Sequence, residues 1–393
     1  MPLLPVADAQ ARVLALATPL NVEQVPLSVA AHRYAAKDVV ARRTQPASDL
    51  SAMDGYAIRH ADLGQPLRLI GESAAGRPFA YPVGAGEAVR IFTGATMPAG
   101  ADCVLVQEEA RAAGGTVHLD GEGPAHPGRN VRRRGLDFTE GDVLIAVGAA
   151  ITPARLAVAA IGGHATLPVR ARVRVAIAAT GDELVAAGEP IAPGQLPESN
   201  GVMLSAMLAP LGVEIVDLGI LPDRADVLEA AFRAVDADVL VTTGGASVGD
   251  HDLVRPALEA AGASIDFWRI ALRPGKPMMA GRLGRTVVLG LPGNPVSAFV
   301  TAELFVKPLV RHLAGAADPF PPTLTAVLGE DLPANAERTD YLRAELRGGA
   351  AFASTIQDSS MLRTLARSSC LIVRSPHAPA ARAGDSAEIL MIA

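Results

Sequence analysis

Three glycine-rich turns, each following a predicted strand, could hold a phosphate group. They have the sequences TGDE at 180–183, TTGGASVGD at 242–250 and LPGNP at 291–295. Glycine permits positive φ and lets backbone N–H groups approach an anion, and the N-terminus of a following helix favours negative charge. One such turn is typical of an ordinary strand-to-helix connection, but three at one sheet edge predict a phosphorylated ligand. The candidate binding residues in these turns are Thr180, Gly181, Asp182, Gly244, Gly245, Ser247, Pro292, Gly293, Asn294 and Pro295.

None of these segments matches a common nucleotide-binding motif. RPGKP at 273–277 lacks the spaced first glycine of a Walker A loop and the Ser or Thr after Lys276. The chain also has no GxGxxG fingerprint at a strand end. ATP hydrolysis and dinucleotide binding are therefore disfavoured.

Acidic side chains follow the same predicted strands. They are Asp182, Glu183, Asp223, Asp250 and Asp252. Several carboxylates beside a phosphate would repel it unless a hard cation such as Mg²⁺ sat among them. Helix N-capping is the alternative role for Asp182 and Asp223. The pattern indicates a Mg²⁺ site, with Glu183, Asp223 and Asp252 as its main candidates.

A cationic loop, WRIALRPGKP, supplies the opposite charge. It contains Arg269, Arg273 and Lys276, and its prolines stiffen the turn. Fixed cations at a strand end suit a small oxyanion, although solvated cations on a Pro-Gly turn are also common. The run Arg132–Arg134 is more typical of a solvated turn, and the eight histidines have no metal-ligand spacing.

Positioning these groups requires a parallel, doubly wound sheet. From about residue 169 to 313, apolar strands alternate with helices of about ten residues, which is the pattern of a sheet covered on both faces. Ligands of such sheets bind beyond the carboxyl ends of the strands. Short strands between Gly and Pro turns predict a β-rich lobe before this sheet and a small β domain after it. The last two predicted strands of the sheet are ASIDFWRIA (263–271) and RTVVLGLPGN (285–294), and the second runs into a long helix, PVSAFVTAELFVKPLVRHLAG (295–315). Outside the sheet, two further helices are predicted, from Val6 to Ala17 and from Thr152 to Gly163.

Bulk composition limits the class of protein. A chain of 393 residues, half of them hydrophobic, predicts two to four folded domains. The net charge of −6 argues against a nucleic-acid binder. Two distant cysteines argue against a thiolate zinc site and a disulfide framework. With no signal peptide and no apolar run of spanning length, we expect a cytoplasmic protein without a membrane segment.

The motifs together resemble the molybdopterin molybdenumtransferase family, which includes the gephyrin E-domain. The matching segments, in the family's order, are SAMDGYA (51–57), IFTGATMP (91–98), GADCVLVQEE (100–109), GRNVRRRGLDF (128–138), ATGDEL (179–184), TTGGASVGDHD (242–252), RPGKP (273–277) and LPGNPVSA (291–298). They cover nearly the whole chain.

The resemblance implies an activity and a domain plan. The family hydrolyses adenylylated molybdopterin in a Mg²⁺-dependent step, releases AMP and places molybdate on the dithiolene to give molybdenum cofactor. It implies a homodimer whose site lies between the α/β domain of one subunit and the β-rich lobe of the other. The implied domains are a helical and mixed dimerisation domain (1–46 and 136–170), the lobe (47–135), a molybdopterin-binding domain (171–316) and a C-terminal β domain (317–393).

The resemblance also assigns residues by position. The acids implied in activity are Asp54, Asp137, Glu183, Asp223 and Asp252, together with Thr93. Glu183, Asp223, Asp252 and the partner subunit's Asp54 are the implied Mg²⁺ ligands. The implied molybdate pocket consists of Arg273, Lys276, Ser297, Arg343 and Ser359 or its neighbour Ser360. We therefore expect Asp54 to act in trans.

Two rival functions stay open at this point. The adenylyltransferase that makes the activated substrate resembles residues 170–316 alone, but it lacks the preceding lobe. A non-catalytic scaffold would have no need of the acids. The resemblance further implies transient contact with the adenylyltransferase or with apo-molybdoenzymes. The sequence departs from the family pattern at Leu50 and Ser369, where an Asn is usual.

Overall fold

A six-stranded sheet forms the centre of the protein. The structure is a computed structural model that describes residues 3–244 and 253–392. The strands of this sheet, numbered in chain order, are β1 (Arg174–Thr180), β2 (Glu214–Leu221), β3 (Val239–Thr243), β4 (Ser264–Arg269), β5 (Pro277–Leu283) and β6 (Thr286–Leu291). Their spatial order is β2-β1-β3-β6-β5-β4. The first four in this order are parallel, which confirms the predicted α/β sheet.

The β5–β4 edge of the sheet is antiparallel. We predicted β4 as a further strand of a parallel sheet and gave β5 no strand of its own. The segment PMMAGRL in β5 has no β-branched residue and begins with Pro277, so its local strand preference is weak. Pairing with β6 and burial decide its conformation instead.

Helices cover both faces of the sheet. Val6–Ala15, Asn200–Leu208 and the helix that begins at Pro295 pack on one face, and Ala225–Arg233 and Val254–Ala260 pack on the other. In β1, Val175 and Ile177 belong to the first core and Ala176 to the second. Burial on both faces explains why the strands are continuous apolar runs.

The predicted long helix after β6 is continuous but contains a π-helical turn. It consists of Pro295–Thr301, the π turn Ala302–Val306 and Lys307–Leu313. Pro308 has no N–H to donate to the carbonyl of Leu304, four residues earlier. The side-chain amide of Gln10 donates to that carbonyl at 3.0 Å.

The start of the described chain is therefore fixed to the central sheet. Leu4 also exchanges backbone hydrogen bonds with the Arg269–Ala271 segment that follows β4. The side chains of Val6, Ala9 and Val13 are buried in the core of the sheet.

The predicted β-rich lobe is confirmed, and its strands form a six-stranded sheet. Its strands, in spatial order, are Cys103–Val106, Gly55–Ile58, Glu87–Ile91, Leu67–Ser73, Thr116–Leu119 and Ala110–Ala113. The short pair Leu50–Ser51 and Val131–Arg132 lies beside it. Gly55 stands opposite Val106, and a Cβ on Gly55 would overlap the carbonyl oxygen of Leu105. Glycine is therefore required for this close strand approach.

A mixed segment connects the lobe to the central sheet. Its helix spans Pro153–Ile161 and is capped by Thr152, whose hydroxyl accepts from Arg155 N–H at 3.3 Å. Its strand pairs are Val22–Pro26 with Thr166–Arg170 and Val39–Val40 with Val143–Ile145. Shorter helical turns in the described part of the chain are Leu27–Val29, His60–Asp62, Gln107–Glu109 and Ala209–Leu211. The domain boundaries given above stay a prediction.

The C-terminal region is a closed five-stranded barrel. Its strands, in order around the ring, are Thr339–Arg347, Ala350–Ala353, Thr323–Leu328, Ser386–Met391 and Cys370–Arg374. The short strand Leu272–Arg273 pairs with the first of them and joins the barrel to the segment after β4. Helix Leu362–Arg367 follows the second strand in sequence. Across residues 3–244 and 253–392, no helix is long and apolar enough to span a membrane.

Candidate active site

A crevice of about 790 Å³ lies at the carboxyl ends of β1, β3 and β6. This is the place predicted from the glycine turns, and its volume is typical of a small-molecule site. The predicted residues that line it are Thr180, Gly181, Glu183, Asp223, Gly244, Pro292, Gly293, Asn294 and Pro295, with Ser360 from the C-terminal region. Gly245, Ser247 and Asp252 lie outside the described residues.

The crevice floor depends on a close contact between backbone segments. Gly244 has φ +88°, and a Cβ there would overlap the carbonyl oxygen of Thr180. A Cβ on Gly293 would lie 3.5 Å from the Cα of Gly244, so the second and third turns are packed against each other. The absence of side chains leaves backbone groups facing the crevice, as an anion site requires.

Carboxylates lie along one side of this floor. Glu183 and Asp223 line the crevice, and the Asp182 carboxylate accepts from the Asp223 backbone N–H at 3.0 Å. Partial burial, followed by the charges of Asp182 and Glu183, raises the pKa of Asp223 above its ordinary value. The three acids therefore concentrate negative charge at this edge.

The loop 356–361 brings two serines to the crevice from the C-terminal region. Ser360 lines the crevice, whereas the hydroxyl of Ser359 accepts from the Asn294 side-chain amide at 3.0 Å. Ser297, in the first turn of the helix after β6, is buried. Of the two serines that the sequence left open, Ser360 is the one that faces the crevice.

The three predicted cations lie near the crevice and differ in their exposure and in the groups that they bind. Lys276 is exposed and precedes Pro277, which lines the crevice. Arg273 forms an ion pair with the buried carboxylate of Asp340. Arg343 is 1% exposed, and its guanidinium donates to backbone carbonyls of the loop 356–361. Arg273 and Lys276 are thus both exposed, whereas Arg343 is buried.

A second polar site lies on the β-rich lobe. One carboxylate oxygen of Asp54 accepts from the Thr93 backbone N–H at 2.7 Å and from the Thr93 hydroxyl at 2.8 Å. These hydrogen bonds, backbone first, hold the pKa of Asp54 below its ordinary value, and Arg90 contributes by its charge. Asp54 is therefore a partly exposed, oriented carboxylate that stays ionised at neutral pH.

Within one chain these lobe residues do not join the crevice. Among the described residues, Asp54 and Thr93 are not part of the crevice lining. Asp137 lies in a turn next to the lobe, where its backbone N–H donates to Gln45 O at 3.1 Å. Within one chain, Asp54, Thr93 and Asp137 therefore lie apart from Glu183 and Asp223.

Three family descriptions match the chain in sequence order. They are "MoeA N-terminal region (domain I and II)" over residues 4–163, "Probable molybdopterin binding domain" over 176–312 and "MoeA C-terminal region (domain IV)" over 325–392. The molybdopterin molybdenumtransferase of Haemophilus influenzae is 38% identical over 386 residues, which cover 94% of each chain. The chain belongs to the molybdopterin molybdenumtransferase family.

Other relatives agree over similar lengths. Molybdopterin molybdenumtransferase 2 of Mycobacterium tuberculosis is 37% identical over 336 residues, which cover 82% of each chain. A crystal structure of the molybdopterin biosynthesis MoeA protein from Pyrococcus horikoshii superposes with a TM-score of 0.86 at 26% identity and covers 100% of both chains. The multidomain fold of the molybdopterin molybdenumtransferase family is thus shared along the whole length.

One part of the crevice was not predicted. The connection between β1 and helix Asn200–Leu208 contains two short paired strands, Leu184–Val185 and Leu196–Pro197, and its residues form a wall of the crevice. The Asn200 side-chain amide ties this wall to the third turn by donating to Gly293 O at 2.8 Å. The only sequence signal was length, because connections in such sheets are usually about 2–6 residues.

Two of the carboxylates that line the crevice have the chemistry of metal ligands, but the described residues do not form a complete metal site. Among residues 3–244 and 253–392, no group of three His, Cys, Asp or Glu side chains is placed to hold a metal ion. Glu183 and Asp223 nevertheless offer the oxygen ligands that Mg²⁺ prefers. After partial burial, the charges of Asp182 and Glu183 raise the pKa of Asp223, and a cation beside these carboxylates would offset that repulsion.

Asp223→Asn is expected to raise the midpoint of thermal unfolding at pH 7. A carboxyl whose pKa is raised on folding contributes stability below its unfolded pKa, and that contribution is lost as the pH rises through the folded pKa. The advantage of the Asn variant should therefore be small near pH 4 and grow toward pH 7. Thermal unfolding at several pH values measures it.

Asp226→Asn is the matched control for this experiment. Asp226 is three residues away, and its hydrogen bond from Arg224 lowers its pKa. Its replacement should give no stabilisation at pH 7. An Asp223→Asn variant that unfolds at a lower temperature than the wild type at pH 7 would contradict the assignment.

Proposed function

We propose that the protein inserts molybdate into adenylylated molybdopterin, with Mg²⁺-dependent hydrolysis of the phosphoanhydride and release of AMP. The observation that carries this proposal is the pairing of Glu183 and Asp223 with three glycine turns in one crevice. Backbone groups suit the phosphates, and carboxylates suit the cation that phosphate hydrolysis needs. The relatives named molybdenumtransferases match along the same length, including the lobe that an adenylyltransferase would lack.

The Mg²⁺ would be held by Glu183 and Asp223, with Asp252 and the partner subunit's Asp54 completing the ligands. When bound, the ion would neutralise charge on the phosphate oxygens. The chain's own contribution is clearest at Asp54, whose pKa is held below its ordinary value and whose carboxylate is oriented. For Asp54 the two hydrogen bonds from Thr93 do this.

The phosphoanhydride would lie on the glycine turns. Backbone groups at Gly181, Gly244 and Gly293 would bind its oxygens, and Thr180, Asp182 and Asn294 would fix the turns around it. Thr180 supports the second turn directly, since its hydroxyl donates to Thr243 O at 3.3 Å. Asp182 supports the segment that carries Asp223.

Molybdate would bind at the C-terminal side of the crevice. As a tetrahedral dianion it needs cations and hydroxyl donors. Lys276 and Ser360 are the best placed for direct contact, with Ser297 and Arg273 nearby. Arg343 would act there through the loop that it holds, since its donors face backbone carbonyls.

The active assembly would be a homodimer. Asp54 is partly exposed and Thr93 is exposed on the lobe, and neither residue lines the crevice of its own chain. A second subunit could place this carboxylate over the crevice, and Asp137 would come from the adjoining turn. The dimer would act in the cytoplasm and meet the adenylyltransferase and apo-molybdoenzymes only transiently.

The proposal is tested by mixing the purified protein with preformed adenylylated molybdopterin, molybdate and Mg²⁺. We expect release of AMP, measured by chromatography, together with molybdenum cofactor that reconstitutes an apo-molybdoenzyme. EDTA and the Glu183→Gln variant should both stop AMP release. In a parallel reaction with molybdopterin and ATP, adenylylation without AMP release from the preformed substrate would support the adenylyltransferase instead.

A further inference from the structure

The loop 356–361, called here the serine loop, connects the C-terminal barrel to the crevice. It lies between barrel strand Ala350–Ala353 and helix Leu362–Arg367. Its Ser360 lines the crevice, although the rest of the crevice lining comes from residues 180–295. The position of the Ser360 hydroxyl therefore depends on how the loop is held at both ends.

On the sheet side, the helix after β6 holds the loop through Ser359. The Val296 backbone N–H donates to Ser359 O at 3.1 Å, and the Asn294 side-chain amide donates to Ser359 Oγ at 3.0 Å. These two hydrogen bonds fix the residue directly before Ser360.

On the barrel side, Arg343 holds the loop through its carbonyls. Its guanidinium donates to Met361 O at 3.1 Å, Ile356 O at 3.3 Å and Asp358 O at 2.8 Å. The side chain is buried among the groups that accept from it. The loop is thus wrapped around a cation that belongs to the barrel strand Thr339–Arg347.

Gln357 fixes Arg343 in turn, through both ends of its side-chain amide. Its Oε1 accepts from the Arg343 backbone N–H at 3.0 Å and from Arg343 Nε at 3.4 Å. Its Nε2 donates to Arg343 O at 3.0 Å and to Ser354 O at 2.9 Å. The Gln357 side chain therefore hydrogen-bonds both the backbone N–H and the backbone carbonyl of Arg343, as a neighbouring strand would.

Within the serine loop, Asp358 orients the hydroxyl of Ser360. One Asp358 carboxylate oxygen accepts from the Ser360 hydroxyl at 2.6 Å and from the Ser360 backbone N–H at 2.9 Å. Ser360 thus has a defined rotamer as well as a defined position.

We infer that Gln357 is a positioning residue, which acts on the reaction by holding Arg343 and the serine loop so that Ser360 faces the crevice. This inference rests on the proposed function for its catalytic consequence. The competing role is that Gln357 only stabilises the barrel. The two roles differ because a positioning residue acts through Ser360, whereas a stabilising residue does not.

The kinetic test compares Gln357→Ala, Ser360→Ala and the double variant in the AMP-release and molybdate-insertion assay. Misplacing a group by about 1 Å can cost up to ~10²-fold, so we expect Gln357→Ala to raise KM for molybdate roughly 10-fold or more. Ser360→Ala should have a similar effect. The double variant should be within about 2-fold of Ser360→Ala, because the two residues form one unit. Thr355→Ala, an exposed change just before the loop, should match the wild type.

If the increases in KM of the two single variants multiply in the double variant, the inference is overturned, since Gln357 would then act independently of Ser360. An unchanged KM for molybdate in Gln357→Ala would overturn it too. If Gln357→Ala does not fold, Gln357→Glu takes its place. It keeps the side-chain volume and the acceptor for Arg343 N–H but loses both donated hydrogen bonds, and the same criterion applies.

Hydrogen–deuterium exchange gives a readout that does not depend on activity. Gln357→Ala should increase exchange in residues 354–361, whereas Ser360→Ala should leave it unchanged. Unaltered exchange in Gln357→Ala would overturn the inference even if the activity assay fails for all proteins. A wild type that releases no AMP would instead count against the proposed function alone.

Discussion

Asp54→Ala is expected to lower the rate of AMP release by about 10²–10³-fold while the fold is retained. The Asp54 side chain is partly exposed, and its hydrogen-bond partner Thr93, on the same lobe, is exposed, so removal of the carboxylate leaves no buried group without a partner. The loss should appear in the rate at saturating substrate. Circular dichroism and the midpoint of thermal unfolding check that the fold is intact.

Mixing two inactive variants tests whether Asp54 acts in trans. Asp54→Ala and Glu183→Ala should each be inactive as homodimers. After co-expression, half of the dimers would be mixed, and each mixed dimer would have one site with both carboxylates. The expected activity is about one quarter of the wild type, as follows from a two-fold symmetric dimer.

A site built within one chain predicts the opposite result. Every chain in the mixture would then carry one of the two defects, and no activity would return. Size-exclusion chromatography with light scattering provides the control, since a monomeric protein would also exclude the proposed arrangement.

Gly244→Ala is expected to abolish productive binding in the crevice. An alanine at φ +88° is strained, and its Cβ would overlap the carbonyl oxygen of Thr180. Together these effects should cost roughly 2–4 kcal/mol of stability. They should also displace the second glycine turn from the third, with a loss of ~10²-fold or more in kcat/KM. Denaturant unfolding and the AMP-release assay measure the two effects.

Gly284→Ala is a control that introduces backbone strain without the steric overlap expected in Gly244→Ala. Gly284 also has a positive φ, of +59°, but a Cβ there would meet no heavy atom within 4 Å. It lies in the turn between β5 and β6, away from the crevice. We expect a loss of about 1 kcal/mol from strain alone and unchanged kinetics. Equal kinetic effects in the two variants would show that the fit of Gly244 against Thr180 is unimportant.

The parts of the site that the sequence predicted are those that depend on local chain chemistry. Thr180, Gly244 and Gly293 were identifiable because apolar strands precede them and glycine marks the turn. The rule that parallel strands end at one edge then placed them together. The acids Glu183 and Asp223 followed from the same rule.

The parts that it did not predict depend on contacts between distant segments. The antiparallel strand β5 forms only because β6 and β4 pair with it on either side. The crevice wall at 184–200 has too little periodicity to indicate a structure. The resemblance assigned Arg343 to the anion, yet the carbonyls that surround it lie in the loop 356–361, where no local pattern marks them.

The helix Val6–Ala15 is synthesised long before the strands that bury it. The buried side chains of Val6, Ala9 and Val13 need partners from a sheet whose last strand ends at Leu291. At ~5–20 residues per second, a ribosome needs roughly 15–60 s to add the intervening chain. During that time the helix has an apolar stripe and no native surface to cover it. The helix is thus synthesised well before the sheet that covers it, and general chaperones can bind its apolar stripe in that interval.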